Sequence, residues 1–294
     1  MSYDFATYRQ KLGYSEKSIK SHDYHIGKFI SWCSKNNINY KSIGFENILQ
    51  YIREEKAREV KEPSINNRLN AVSIYYDWLV KIGEAKQNII RQIRVKANRK
   101  NAIGEPMKPG QLENLYNDFS NLPSWNFKTK KGNILHKRNL VIFGLMIYQG
   151  LTTGELSKLE ITHINLKEGK IYIPSTRKSN SRTLKLQANQ ILPLQNYLNE
   201  IRQKIINEPT EKLFIAKKFT DLISRIIKQA KKINPQLQNS RQIRQSVIMN
   251  WLKEYNIRQV QYMAGHKKIR STEAYKNEDL TDLVAQVEKY YPLK

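Results

Sequence analysis

The spacing of apolar residues along the first 95 positions predicts helices almost throughout. One helix is expected to begin after Ser15, a plausible N-cap, and carries apolar side chains mostly three and four residues apart. A second is expected over Phe45–Lys56, and a third from near Pro63 to a C-cap at Gly83. These patterns predict a compact bundle of about four helices with charged outer faces.

The pattern changes at residues 96–107, which are rich in Lys, Arg and Asn and have no sustained apolar period. We interpret them as a basic linker of irregular backbone. The linker would separate an amino-terminal helical domain, 1–95, from a second domain, 108–294.

The second domain combines further helices with one strand signal. Lys170–Pro174 and Arg182–Leu186 alternate in the manner of strands around the polar stretch 175–181, which predicts a small antiparallel sheet. The fold class is therefore mainly α with a small antiparallel β-sheet. Helices are expected at Gln111–Phe119, Lys137–Gln149, Leu192–Ile206, Phe219–Lys232, Arg241–Tyr255, Val260–Gly265 and Leu280–Tyr290.

The charge balance points to a polyanionic partner. Lys and Arg number 51 against 26 acidic residues, and the net charge of +25 is spread over both halves of the chain. A nucleic acid is the expected partner, because a polyanion would relieve this self-repulsion; a solvated basic surface is the alternative. The single cysteine, Cys33, excludes a disulfide framework and is interpreted as a small core residue.

Neither a metal nor a cofactor is expected, since the five histidines form no metal-ligand pair. The chain shows no amino-terminal signal-like segment and no long apolar run, so we expect a cytoplasmic, nucleoid-associated protein without membrane contact.

Three short segments carry the candidate chemistry. They are Gly150–Leu156 (GLTTGEL), Ser240–Trp251 (SRQIRQSVIMNW) and Met263–Tyr275 (MAGHKKIRSTEAY). A phenol, guanidinium groups and a further cation suit metal-free phosphoryl transfer, because arginine stays charged and matches a phosphate bidentately.

In order and spacing, these segments resemble the three boxes of the tyrosine recombinase family, the phage-type integrases. The resemblance extends to the amino-terminal bundle, which is similar to the family's SAM-like core-binding domain. It implies a two-domain, Xer-like or transposon-type site-specific recombinase, since an amino-terminal arm-binding domain is not evident. Such enzymes cleave and rejoin DNA through a 3′-phosphotyrosyl intermediate.

The resemblance also implies roles for individual residues. Tyr275 resembles the nucleophile, Arg244 the second catalytic arginine, and His266 the histidine that binds the same phosphate. The place of the catalytic lysine falls on Arg177 or Lys178. An ammonium can release a proton to the leaving group, which favours Lys178, whereas counting back from the following strand favours Arg177.

Two positions depart from the family pattern. Thr152 stands where the first arginine is expected, and Arg241 stands where a histidine is usual; Glu155 is present as in the family. Some integrases of conjugative transposons also lack the first arginine. Our hypothesis is that Arg138 or Lys137 reaches into the vacancy, with an ordinary helix-start or DNA-backbone cation as the alternative.

The missing arginine keeps two other functions open. One is a catalytically impaired relative that binds recombination sites as an architectural protein, and the other is a type IB topoisomerase. By resemblance, we expect a dimer on each site and a tetramer in synapsis. The carboxy-terminal helix would contact a neighbouring protomer, although docking on its own domain stays open. The DNA target, the mobile element served and the direction of the reaction are not specified by the sequence.

Overall fold

The computed structural model describes residues 4–96, 105–122, 129–206 and 208–275. The chain divides into two compact units, 1–101 and 102–294. Most of the expected linker and the whole of the expected helix at Leu280–Tyr290 lie outside the described residues.

The first unit is a helical bundle, as the apolar spacing predicts. Ser15 caps the helix that begins at Glu16, through a 3.3 Å hydrogen bond from the Ser18 backbone N–H. Its helices are α1 (Phe5–Lys11), α2 (Glu16–Lys35), α3 (Phe45–Ala57) and α4 (Glu62–Lys81). The sequence pattern did not mark α1, because the few apolar residues there set no clear period. Its Phe5 ring packs edge-on against Tyr75 of α4, with 5.2 Å between ring centroids.

The core of this unit forms where α2 packs on α4. Phe29, Ile48 and Ile65 are fully buried, and so is Cys33, which confirms its interpretation as a core residue. Burial raises the pKa of the Cys33 thiol to about 11, so the group stays neutral inside the apolar cluster.

The second unit is built around one buried helix. Its helices are α5 (Pro109–Ser120), α6 (Lys130–Gln149), α7 (Thr153–Leu156), α8 (Ala188–Asn196), α9 (Phe219–Ile233), α10 (Ser240–Glu254) and α11 (Ile257–Ala264). The apolar residues of α6, among them Ile142 and Phe143, occupy the centre of the core. The helix begins seven residues before the predicted start because Thr129 caps a polar first turn that the apolar period does not reveal.

A three-stranded antiparallel sheet interrupts these helices. Its strands are β1 (Ile164–Asn165), β2 (Lys170–Ile173) and β3 (Arg182–Lys185), in the order β1-β2-β3. The register pairs Lys170 with Lys185 and Ile173 with Arg182, so the polar stretch 175–181 becomes the connecting turn of the β2-β3 hairpin. The strand alternation buries Ile171, Ile173 and Leu184, and it buries Arg182 on the same face.

This architecture confirms the fold class predicted from the sequence. The sheet has one strand more than expected, since β1 is only two residues long and too short to give a periodic signal. Within the parts of the chain that the structure describes, no helix is long and apolar enough to cross a membrane.

Candidate active site

An open cleft of about 840 Å³ lies in the second unit, between the β2-β3 turn and the amino-terminal ends of α7 and α10. It brings together most of the candidate residues from the three sequence boxes and the hairpin. Those that line it are Thr152, Arg177, Lys178, Arg241, Arg244, His266 and Tyr275.

Tyr275 lies in the helical segment 270–275 and packs partly against the small apolar cluster of Ile248, Val260 and Ala264. Its ring stacks on that of His266, with 5.9 Å between centroids and 8° between planes. This apolar support and the parallel ring limit the directions in which the phenol can turn. The hydroxyl-bearing side chain is thus held at the edge of a cationic cleft.

His266 follows the turn that ends α11. Gly265 adopts the left-handed conformation at φ 70°, which closes the helix and directs the next residue into the cleft. The imidazole Nδ1 is 2.9 Å from the hydroxyl oxygen of Thr272, which is fully buried. Because this contact uses Nδ1, the second ring nitrogen, Nε2, is left for a ligand.

The electrostatic surroundings keep His266 neutral. Burial comes first among the causes, followed by the positive charges of Arg244 and Arg182, and together they lower the pKa of His266 to about 4. At neutral pH the ring therefore acts as a neutral hydrogen-bonding group. It brings no full charge to the cleft.

Arg244 occupies the second turn of α10 and is mostly buried. Its Nη1 donates to the Gly150 carbonyl at 2.5 Å, and its Nη2 donates to the Ala264 carbonyl at 2.7 Å. These bonds tie the guanidinium to the backbones of both the first and the third box. The side chain is thereby fixed in the cleft wall before any ligand is bound.

Glu155 lies beneath the cleft, with its side chain only 1% exposed. One carboxylate oxygen accepts a 2.6 Å bond from Arg182, and the other lies 3.6 Å from Nη1 of Arg244. Burial alone would raise the pKa of this carboxyl. The hydrogen bond and charge of Arg182, the charge of Arg244 and the Thr152 backbone N–H overcome that effect and lower the pKa to about 2.

Thr152 takes a structural role at the position of the expected arginine. Its backbone and hydroxyl both donate to Glu155, at 2.9 and 2.8 Å, and its hydroxyl accepts from the Glu155 backbone N–H at 3.3 Å. This reciprocal arrangement is a capping box for the short helix α7. The hydroxyl is therefore committed to the helix end and brings no charge to the cleft.

The remaining cations are exposed on the rim. Arg241 lies in the first turn of α10, and Arg177 and Lys178 lie in the hairpin turn, where the Lys178 backbone N–H donates to the Thr176 hydroxyl. Both hairpin residues line the cleft, so their shared position leaves the choice between them open.

The structure does not bring Arg138 to this cleft. Its guanidinium donates to the Asn139 side chain at 3.0 Å and to the Ile215 carbonyl at 3.4 Å, and it lines a separate groove with Arg225. Lys137 is exposed and is not among the residues that line the cleft. Neither Arg138 nor Lys137 therefore fills the vacancy at position 152.

Two site residues escaped the reasoning from sequence. In the sequence, Arg182 marks only the start of the second predicted strand, and Thr272 is one of the residues of the segment Met263–Tyr275. The sequence does contain a signal for Arg182, because strand alternation places it on the same face as Leu184, which is buried. An arginine on a buried strand face needs a charged partner. No comparable periodic signal marks Thr272.

Comparisons with known proteins identify the family of this chain. The profile of the Phage integrase family matches residues 107–281, and that of the Phage integrase, N-terminal SAM-like domain matches residues 5–83. Among similar sequences, the TnP I resolvase of Bacillus thuringiensis is 21% identical over 97% of both chains. Tyrosine recombinase XerC of Vibrio cholerae is 24% identical, over 83% of this chain and 76% of its own length.

Solved structures show the same fold at low sequence identity. The Tn1549 transposon integrase in complex with transposon right end DNA superposes with a TM-score of 0.68 at 13% identity, covering 98% of both chains. A lambda integrase dimer bound to a core site has a TM-score of 0.62 at 12% identity, over 92% of this chain and 75% of that one. With two family profiles in chain order over most of its length, this chain belongs to the phage integrase family and is a tyrosine-type site-specific recombinase.

Proposed function

We propose that this recombinase cleaves and rejoins double-stranded DNA through a covalent 3′-phosphotyrosyl intermediate on Tyr275. The observation that carries the proposal is the position of this tyrosine, stacked on His266 in a cleft that Arg244 also lines. A phenol beside fixed phosphate-binding groups is the arrangement that nucleophilic attack on a phosphodiester needs.

In the proposed step, the Tyr275 phenol releases its proton to water in the open cleft, and its oxygen forms a bond to the scissile phosphorus while the bond from phosphorus to the 5′-oxygen breaks. Arg244 binds the non-bridging oxygens with guanidinium edges that its backbone bonds have already oriented. His266 donates a neutral hydrogen bond to the same phosphate. Arg241, at the rim, contributes a second guanidinium in place of the usual histidine.

The leaving 5′-oxygen needs a proton, and the hairpin turn supplies the candidate donors. Lys178 is preferred to Arg177, because an ammonium releases a proton at a rate that a guanidinium cannot match. Rejoining reverses the step: a 5′-hydroxyl attacks the phosphotyrosine and returns the phenol. Since the covalent link conserves the energy of the phosphodiester, the cycle requires no cofactor.

A nicked suicide substrate tests the chemistry, with DNA from the flanks of the gene as the source of target sites. Wild-type protein should form a DNA adduct that survives denaturation, and Tyr275→Phe should form none. Tyr255→Phe is the matched control, since Tyr255 is a half-exposed tyrosine that does not line the cleft. An adduct that persists in Tyr275→Phe, or its absence from the wild-type protein on every flank sequence, contradicts the proposal.

We further propose that the enzyme acts as a dimer on each site and as a tetramer in synapsis. Product should then require two copies of the site, and the mass of the synaptic complex should equal four protomers. Efficient relaxation of plasmids that lack a site, with no need for a second duplex, would indicate topoisomerase behaviour and contradict this part of the proposal.

A further inference from the structure

Arg182 is the largest fully buried side chain described in this structure. It begins β3, its side chain is 0% exposed, and it does not line the cleft. Burying a guanidinium costs several kcal/mol unless it is paired and hydrogen-bonded. Its Nε and Nη1 meet this need, whereas Nη2 is buried with no hydrogen-bond partner among the described residues. The two hydrogen-bonded nitrogens bind one residue in the first sequence box and one in the third.

The contacts of Arg182 join three segments. Its Nη1 donates to Glu155 at 2.6 Å, and its Nε donates to the Met263 carbonyl at 2.7 Å. The adjoining backbone makes the same connection, because the Asn180 N–H donates to the Gly265 carbonyl at 2.9 Å and Ser179 pairs with His266 as an isolated bridge. The hairpin turn and the turn at residues 263–266, here called the histidine turn, are therefore held together around this one side chain.

The sequence of the histidine turn accommodates the guanidinium. A Cβ placed on Gly265 would lie 2.9 Å from Cζ of Arg182 and 3.1 Å from the Asn180 carbonyl oxygen. The left-handed backbone of Gly265 and the absence of its side chain thus both serve the packing of Arg182.

The charges beneath the cleft add a second argument. Glu155 lies between two guanidinium groups, Arg182 on one side and Arg244 on the other. Arg182, Glu155 and Arg244 together carry a net charge of +1. Without Arg182 the sum would be zero, because the carboxylate would neutralise Arg244, and Thr152 offers no charge of its own to make up the loss.

We propose that Arg182 is a positioning residue. It compensates for the arginine missing at position 152 while remaining buried outside the cleft. It engages the Glu155 carboxylate so that the charge of Arg244 remains available to the DNA phosphate, and it holds the turn that carries His266. Arg182 itself does not touch the substrate. This inference rests on the proposed function, because its readout is phosphotyrosine formation.

Single-turnover cleavage of the suicide substrate and DNA affinity, measured in parallel on full-length protein, test the inference. Arg182→Met should slow cleavage by about 100-fold, the loss seen when one charge-stabilising contact is removed, while the Kd for DNA changes by no more than about threefold. Arg182→Lys should recover part of the rate. Lysine keeps the positive charge, but its single ammonium cannot reproduce the two separate hydrogen bonds of the guanidinium. Rates are divided by the folded fraction from a thermal melt.

Arg202→Met is the matched control. Arg202 is also a buried arginine, but its Nε and Nη2 donate to the Lys212 carbonyl, and it does not line the cleft. Its loss should leave the rate per folded molecule within about twofold of wild type. Equal losses of rate in both variants would show that any buried arginine matters in the same way, and would overturn the proposal.

Two further measurements separate positioning from general packing. Arg182→Met/Glu155→Gln removes both buried charges and should cleave about tenfold faster than Arg182→Met alone, since Arg244 is again unneutralised. Removing the nearby positive charge should also move the acid limb of the cleavage profile towards higher pH, because Arg182 helps to keep His266 deprotonated in the presence of Arg244, Glu155 and Tyr275.

The results distinguish failure of this inference from failure of the proposed function. Wild-type adduct formation together with an unimpaired Arg182→Met variant and an unmoved acid limb overturns this inference alone. Absence of an adduct from the wild-type protein overturns the proposed function and this inference with it. A slow Arg182→Met variant with near-normal DNA affinity and a shifted acid limb supports both.

Discussion

Replacing Gly265 with alanine isolates the steric demand of the histidine turn. Alanine at φ +70° costs about 1–2 kcal/mol, because its Cβ crowds the neighbouring carbonyl in the left-handed region. At this position the Cβ would also meet the Arg182 guanidinium, which its bonds to Glu155 and Met263 prevent from moving aside. Overpacking of this kind adds about 1–3 kcal/mol, so the total destabilisation should be about 2–5 kcal/mol.

Gly169→Ala is the matched control, since Gly169 lies in the same unit at φ +60° with no atom within 4 Å of its notional Cβ. It carries the conformational cost alone, about 1–2 kcal/mol. Both variants are compared with wild type by differential scanning calorimetry, on the transition that belongs to the second unit, and each is assayed for adduct formation. Gly265→Ala that is no less stable than Gly169→Ala, and that cleaves normally, would refute the packing argument.

Four other predictions concern the cleft and its surroundings. Thr272→Val keeps the shape of a buried residue but leaves Nδ1 of His266 without its hydrogen-bond partner, so the cleavage rate should fall by about tenfold or more. Thr272→Ser should restore the rate, and an unaffected valine variant would exclude this role for Thr272. Because the pKa of His266 is held at about 4, the cleavage rate should stay level from pH 8 to about 5, whereas an acid limb near 6.5 would contradict the assignment. The same depression should make the fold less stable as the pH falls from 6.5 towards 4, since the unfolded chain binds a proton there that the folded state does not, as urea titrations across this range can measure. Arg138→Ala should cleave at the wild-type rate per folded molecule, because its guanidinium contacts Asn139 and the Ile215 carbonyl outside the cleft, and a large loss of rate would return Arg138 to the catalytic set.

Periodic features of the chain were predictable, and features set by single contacts were not. The long helices and the β2-β3 hairpin follow from apolar spacing, which reports burial directly. Helix α1 and the first turns of α6 did not follow, because their stability comes from tertiary packing and a Thr129 cap.

The candidate site shows the same division. Motif order was enough to gather Arg244, His266 and Tyr275 into one cleft, since the boxes sit at the ends of elements whose packing the fold determines. It was not enough to identify the partner of Glu155. That pairing depends on Arg182, the first residue of β3, lying next to Glu155 of α7, a long-range relation that no local pattern contains.

The bonds between the hairpin turn and the histidine turn limit how this enzyme can be altered by exchange of parts. Because the Asn180 N–H donates to the Gly265 carbonyl and Ser179 pairs with His266, residues 174–182 and 263–266 form one composite loop drawn from two distant stretches of chain. A hairpin transplanted alone from a relative would arrive without the glycine turn that matches its arginine. Chimeras of this enzyme should therefore be cut so that both stretches come from the same parent.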